Sequence, residues 1–130
     1  MEIARRVEQA LIDVGATGLA DQAPHHLSGG ERRRAAVASV LSMDPEILVL
    51  DEPTSGIDPL GRHELADLLR SLSQTQLVVT HDLPFALATC ARSLVLDGGK
   101  IALDLETEAL LNDPDLLTRH RLALPFGYRS

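Results

Sequence analysis

The pattern of apolar and polar positions predicts helices that alternate with short strands. Ile3, Val7, Leu11 and Val14 recur at helical spacing, and Gly15 follows directly as a stop signal. The first segment is therefore predicted to be an amphipathic helix. Further helices are predicted at residues 32–43, 59–72 and 84–91, and a short one ends near residue 112, with a less regular stretch after it.

Continuous apolar runs predict the strands. Residues 47–50 and 77–80 are bounded by turn residues, which is typical of strands buried on both faces of a parallel sheet. Residues 93–96 and 101–103 flank Asp-Gly-Gly-Lys, a hairpin signal whose turn type stays open. The predicted fold class is α/β, with buried, mostly parallel strands, helices on both sides and a C-terminal antiparallel hairpin.

Composition narrows the class of protein. The chain has 130 residues, of which 45% are hydrophobic and 24% charged, a balance typical of a globular domain. Twelve basic residues against 19 acidic ones give a net charge of -7, which argues against a nucleic-acid partner. Cys90 is the one cysteine, so an internal disulfide is excluded. No apolar run reaches the roughly 18 residues that span a bilayer, and we expect a cytoplasmic domain.

Polar side chains close the first two predicted strands. Asp51 and Glu52 follow the first strand, and His81 follows the second. Ligands of α/β sheets gather at the carboxyl ends of strands. One carboxylate could hold hydrated Mg²⁺ while the other accepts a proton from water, and the imidazole could orient that water or a phosphoryl group. The alternative is a turn or helix cap, the more common role of an isolated Asp-Glu pair.

The segment at residues 27–31, Leu-Ser-Gly-Gly-Glu, also has two interpretations. Ser28 with the amides of Gly29 and Gly30 at a helix N-terminus would favour a phosphate. Alternatively, Ser28 and Glu31 form a capping box that only starts the helix. Both interpretations can hold together.

Three segments in one order carry a family resemblance: residues 27–31, residues 47–58 and residues 79–82. Together they resemble an ATP-binding cassette (ABC) ATPase. The first resembles the signature motif, with Glu31 where Gln is more usual. The second resembles the Walker B strand and the D-loop at residues 55–58, and the third resembles the switch histidine segment. The fold implied is a partial P-loop NTPase with three layers.

Within this family, the sequence most resembles the ATPase subunits of energy-coupling factor importers of the cobalt and nickel type. The resemblance implies import of cobalt, nickel or a vitamin. It rests on residues 24–26 (Pro-His-His), residues 44–46 (Asp-Pro-Glu) and the tail at residues 112–117 and 124–125.

The resemblance implies roles for the hydrolytic residues and for the partners. Glu52 would be the general base, Asp51 would support Mg²⁺ through water, and His81 would contact the γ-phosphate of ATP. A second ABC ATPase subunit and a transmembrane coupling subunit are the implied partners. They would place the chain at the inner face of the cell membrane.

The resemblance also implies contacts across a dimer. Ser28, Gly29 and Gly30, with the neighbouring Glu31, would act in trans on ATP held by the opposite subunit, and Asp58 would communicate between the subunits. By this resemblance residues 1–27 end the helical subdomain, residues 28–104 form the C-terminal part of the ATPase core and residues 105–130 form the tail.

The phosphate-binding Gly-x-x-x-x-Gly-Lys loop of the family has no match in the sequence. Lys100 is the one lysine, and it lies in the predicted hairpin instead of a strand-to-helix turn. Residues 1–26 do not match the adenine-stacking aromatic or the glutamine loop of the family either. The chain is therefore predicted to be the C-terminal half of a nucleotide-binding domain and inactive alone. The alternatives are a non-catalytic interaction module and a non-transport ABC ATPase.

Three other features allow both a functional and a structural interpretation. The arginines at residues 32–34 could bind phosphate or acidic partners, or they could form a solvated helix face. His25 and His26 could suggest metal binding, but no cysteine or acidic residue lies at metal-ligand spacing from them. Cys90 is predicted to be a small core residue.

Overall fold

The computed structural model describes residues 2–125. Its elements in chain order are α1 (Glu2–Asp13), two 3₁₀ turns (Thr17–Leu19 and Pro24–His26), α2 (Gly29–Leu41), β1 (Ile47–Asp51), α3 (Pro59–Ser71), β2 (Thr75–Val79), α4 (Leu83–Thr89), β3 (Arg92–Asp97), β4 (Lys100–Glu106), α5 (Thr107–Leu111) and α6 (Pro114–Arg119). The predicted α/β order is confirmed.

Two predicted segments differ from the structure. The strand expected at residues 77–80 begins earlier, because the amide of Thr75 already donates to the carbonyl of Glu46. The stretch expected to be irregular after residue 112 contains α6. Asp113 caps this helix by accepting from the amides of Asp115 and Leu116, and Pro114 suits its first position. The part of the predicted tail at residues 126–130 lies outside the described residues.

β1 and β2 are hydrogen-bonded neighbours in a two-stranded sheet. At one end Thr75 donates to Glu46, and at the other the amide of Glu52 donates to the carbonyl of Val79. Residue numbers increase in the same direction on both strands between these two hydrogen bonds, so the strands are parallel. The polar residues that follow the two strands therefore lie at the same edge of the sheet.

The chain divides into two compact units, whose described parts are residues 2–49 with 57–77, and residues 50–56 with 78–125. In the first unit, Val14 and Leu69 are almost completely buried. Helix α1 ends at a Schellman turn, in which Gly15 has a φ of +64° and the amide of Ala16 bonds to the carbonyl of Leu11.

The prediction that these strands are buried on both faces is wrong for one face. Leu48 is buried, but Ile47 and Val49 on the opposite side of β1 are 59% and 62% exposed, and Leu77 on β2 is 50% exposed. No described element covers these side chains. The three residues form an aliphatic sheet face that is open to solvent.

The second unit contains the antiparallel hairpin β3–β4. Gly98 and Gly99 both have positive φ, which identifies the turn as type I′ and explains the two glycines. The last helices pack on this hairpin through a common apolar core formed by Leu83, Val95, Leu110, Leu111 and Leu117. Cys90 ends α4 and is half-buried, so its predicted core position is only partly correct.

Candidate functional site

The strand β1 ends between the two candidate carboxylates. Asp51 is its last residue, and Glu52 adopts the left-handed conformation with a φ of +45°. This conformation is uncommon for a residue with a side chain, and the turn around it holds it in place. The amide of Glu52 donates to Val79 at 2.7 Å, and its carbonyl accepts from Ser55 at 3.1 Å. The strict alternation of a strand therefore does not force the two carboxylates onto opposite faces.

His81 contacts Glu52 directly. Nδ1 of His81 lies 2.8 Å from Oε1 of Glu52. The backbone on each side of the histidine is fixed, because the amide of Asp82 donates to Oγ1 of Thr80 and Asp82 caps α4 by accepting from the amide of Phe85. The short segment between β2 and α4 thus presents the imidazole to the carboxylate.

The second oxygen of Glu52 is buried and accepts no hydrogen bond from any described residue. A buried acceptor without a partner costs about 1–3 kcal/mol. Such strain is common where a side chain is prepared for a ligand or for catalysis. A carboxylate that an imidazole orients at one oxygen, and whose other oxygen keeps its lone pairs unused, has the chemistry needed to accept a proton from a water molecule.

Asp51 is exposed beside this pair. Within residues 2–125 no three metal-ligating side chains converge, so the chain forms no metal cage there. A single carboxylate suits Mg²⁺, which keeps most of its own water molecules. The role of Asp51 toward Mg²⁺ stays a prediction.

The segment around Ser28 forms the capping box that its sequence allows. Oγ of Ser28 accepts from the amide of Glu31 at 3.3 Å, and the Glu31 carboxylate accepts from the amide of Ser28 at 2.8 Å. The amides of Gly29 and Gly30, in the first turn of α2, have no partner within the helix. The capping box therefore leaves those two amides for an anion, and the two interpretations remain compatible.

The local fold does not require glycine at residues 29 and 30. A Cβ atom at either position would meet no atom within 4 Å, and neither residue has a positive φ. Any requirement for glycine there comes from something outside the described chain. Close approach of a ligand is the usual reason.

Asp58 caps α3. Its Oδ1 accepts from the amide of Gly61 at 2.7 Å. A Cβ atom at Gly61 would lie only 2.5 Å from Cγ2 of Ile57, so glycine is needed at that position. Ser28–Glu31 and Asp58 belong to the first unit, whereas Asp51, Glu52 and His81 belong to the second.

Sequence reasoning missed the role of one arginine. Arg34 is half-buried and donates to the carbonyl of Val14, so the run at residues 32–34 is not one solvated face. No local pattern reveals this contact, because its partner lies 20 residues away. His25 and His26 contact each other edge to face, with ring centroids 4.2 Å apart.

The capping box predicts a pH dependence of helix α2. The pKa of the Glu31 carboxyl is lowered from 4.5, mainly by the hydrogen bond from the Ser28 amide and then by the Ser28 side chain. Because the pKa is lower in the folded chain, this carboxylate stabilises α2 above about pH 4.5. That stabilisation is lost as the pH falls through the lowered pKa. In unfolding measurements, Glu31→Gln should weaken the acid dependence between pH 5 and 3, whereas Glu8→Gln on exposed α1 should not; equal effects would contradict it.

The sequence was compared with protein families and with known proteins. A family model described as ABC transporter matches residues 2–55. A Streptomyces coelicolor protein named "Putative ABC transporter ATP-binding protein" is 59% identical over 127 residues, which are 98% of this chain and 49% of that protein. A Geobacter sulfurreducens protein of the same description is 45% identical, over 99% of this chain and 52% of its own length. This chain is similar to ABC transporter ATP-binding proteins over nearly all of its own length.

Solved structures agree with the fold of these ABC relatives. The CbiO1 protein of Clostridium perfringens, part of the ABC transporter complex CbiONQ, matches with a TM-score of 0.78 and 34% identity over 94% of this chain and 50% of its own. An ATP-binding cassette in its ADP conformation matches with a TM-score of 0.80 at 24% identity, which supports the fold alone. The chain spans about half the length of the relatives it matches. No helix within residues 2–125 is both long and apolar enough to cross a membrane.

Proposed function

We propose that this chain supplies the half of an ABC ATPase domain that carries the signature, Walker B and switch segments. The observation that carries the proposal is the 2.8 Å contact between His81 and Glu52, together with the buried, unpartnered Oε2 of Glu52. This arrangement holds the carboxylate in one orientation and leaves one of its oxygens without a hydrogen-bond partner. It is what a general base acting on a water molecule needs.

In the proposed reaction, Glu52 accepts the proton of the water that attacks the γ-phosphate of ATP, while the bond from the γ-phosphorus to the bridging oxygen breaks and ADP leaves. His81 orients the carboxylate through Oε1 and contacts the γ-phosphate. Asp51 would hold hydrated Mg²⁺, which when bound would neutralise charge on the phosphates. Ser28, Gly29 and Gly30 would offer a hydroxyl and two first-turn amides to the ATP held by a second ABC ATPase subunit, with Glu31 maintaining the cap.

The wider assignment rests on the sequence resemblance. Its parts are residues 1–27 as the end of a helical subdomain, residues 28–104 as the C-terminal core and residues 105–130 as the tail, with Asp58 signalling across the dimer. A transmembrane coupling subunit would hold the assembly at the inner face of the membrane. Similarity to CbiO1, which is described as part of the ABC transporter complex CbiONQ, supports a subunit of an ABC transporter complex. The importer of the cobalt and nickel type rests on the sequence resemblance.

The missing phosphate loop argues that the isolated chain does not hydrolyse ATP. Lys100 pairs with Asp97 across the hairpin turn and is exposed, so it is not placed in a phosphate-binding turn. A chain without that loop lacks the amides and the lysine that position the phosphates.

A second function is favoured by the aliphatic sheet face of Ile47, Val49 and Leu77. A face of this kind is typical of a surface that binds another polypeptide. The chain would then act as a non-catalytic interaction module. No described feature favours a non-transport ABC ATPase.

Titration with Mg-ATP separates these functions. The isolated chain and an assembly of the chain with a polypeptide that carries a Gly-x-x-x-x-Gly-Lys loop are titrated in parallel. The ATPase-half function predicts binding and hydrolysis in the assembly only. The interaction-module function predicts an assembly that forms but gains no hydrolysis.

A further inference from the structure

Arg34 connects three helices of the first unit. It lies on α2, its Nη1 donates to the carbonyl of Val14 at the end of α1 at 3.0 Å, and its Nη2 lies 3.6 Å from Oε2 of Glu64 on α3. A guanidinium is suited to this task, because its donors form a rigid planar fork that can reach two acceptors at once. These contacts all fall within one compact unit.

The Val14 carbonyl needs an external partner. The Schellman turn at Gly15 uses the carbonyls of Leu11 and Ile12 for the amides of Ala16 and Gly15. Val14 directly follows the last residue of α1, where the negative end of the helix dipole attracts a cation. Arg34 supplies both the donor and the positive charge.

The guanidinium of Arg34 lies against Gly15 at the end of α1. A Cβ atom at Gly15 would lie 3.4 Å from Nη1 of Arg34, which is an ordinary contact, so the φ of +64° and not the arginine explains the glycine. The guanidinium also lines a cavity of about 390 Å³ with Glu64 and Asp67. The side chains of Arg34 and Glu64 are 34% and 50% exposed, so solvent screens the attraction between their charges. The contact therefore acts mainly by restricting where the two side chains lie.

The two ends of the ion pair stand at matching distances from two helix caps. Arg34 lies six residues after Ser28, the cap of α2, and Glu64 lies six residues after Asp58, the cap of α3. A rigid helix transmits the orientation of one residue to another less than two turns away. The Arg34–Glu64 contact therefore joins α2 and α3 at equivalent positions, each less than two turns from a capped first turn.

We propose that Arg34 is a positioning residue that holds the capped first turns of α2 and α3 in one arrangement, with the end of α1 as its anchor. Its importance for ATP use rests on the proposed function, because those turns carry Ser28 and Asp58. The arrangement itself is a property of this chain and can be measured without nucleotide.

Amide hydrogen exchange of the full chain, followed by NMR, tests the proposal. Arg34→Met should accelerate exchange about tenfold at Ala16, Glu31 and Gly61, because a charged hydrogen bond is lost, while the β3–β4 hairpin amides keep their rates. Arg32→Met is the matched control on the same helix. It should leave these rates unchanged. Arg34→Lys, which keeps the charge but not the fork, should restore Ala16 more fully than Glu31 and Gly61.

Glu64→Gln removes the ion pair between α2 and α3 but keeps the hydrogen bond from Arg34 to Val14. It therefore tests the contact between the two helices by itself, and it still does so if Arg34→Met fails to fold. It should accelerate exchange about threefold at Glu31 and Gly61 and leave Ala16 unchanged. Acceleration confined to Ala16 in Arg34→Met, or a uniform change over the whole chain, would show a merely structural role and overturn the proposal. Absence of ATP hydrolysis in every assembly would defeat the proposed function and leave this exchange result standing.

Discussion

Glu52→Gln is expected to lower ATP hydrolysis by about two to four orders of magnitude in an assembly that contains this chain and a phosphate-loop polypeptide, and to leave ATP binding unchanged. The amide oxygen of glutamine can still accept the hydrogen bond from His81, so the local structure is retained. The amide cannot accept a proton from water at neutral pH. Steady-state hydrolysis and equilibrium binding of Mg-ATP, measured on the same preparation, separate the two effects.

Glu46→Gln provides the matched control. Glu46 precedes β1 and is exposed, so the same chemical change at the opposite end of the strand should leave hydrolysis near its original rate. Turnover by the Glu52→Gln assembly at a near-normal rate would refute the general-base role. A parallel loss of binding would indicate damage to the site instead.

Leu69→Ala is expected to lower the free energy of unfolding by about 2–5 kcal/mol. Leu69 lies on α3 and is only 1% exposed, so truncation removes buried contacts and leaves a cavity. The loss is a large fraction of the stability of a domain of this size. Urea unfolding monitored by circular dichroism measures it.

Leu60→Ala makes the same chemical change on the same helix at a side chain that is 69% exposed. It should change the unfolding free energy by less than about 0.5 kcal/mol. Equal effects of the two substitutions would mean that the core of the first unit does not form around Leu69 in solution.

The helices and the hairpin could be predicted from the sequence because their signals are local. Ile3, Val7, Leu11 and Val14 mark α1, and the two glycines between β3 and β4 mark a turn that needs positive φ twice. The exposed side of the sheet could not be predicted. A continuous apolar run has the same sequence whether its second face is covered by the same chain or is open.

The position of the candidate site could also be predicted, because parallel strands bring their carboxyl ends to one edge. The sequence therefore indicated Asp51, Glu52 and His81. It did not indicate the left-handed Glu52 or its buried oxygen, since both depend on the turn that follows the strand. The anchoring role of Arg34 depends on partners 20 and 30 residues away, which no periodic pattern reports.

Equilibrium titration of the isolated chain with Mg-ATP tests the central claim most directly. The claim is that the chain carries the hydrolytic carboxylate of an ABC ATPase without the loop that holds the phosphates. We expect no saturable binding up to about 1 mM, and binding that appears when the phosphate-loop polypeptide is added. Saturable binding of Mg-ATP by the chain alone, at micromolar concentration, would contradict the account.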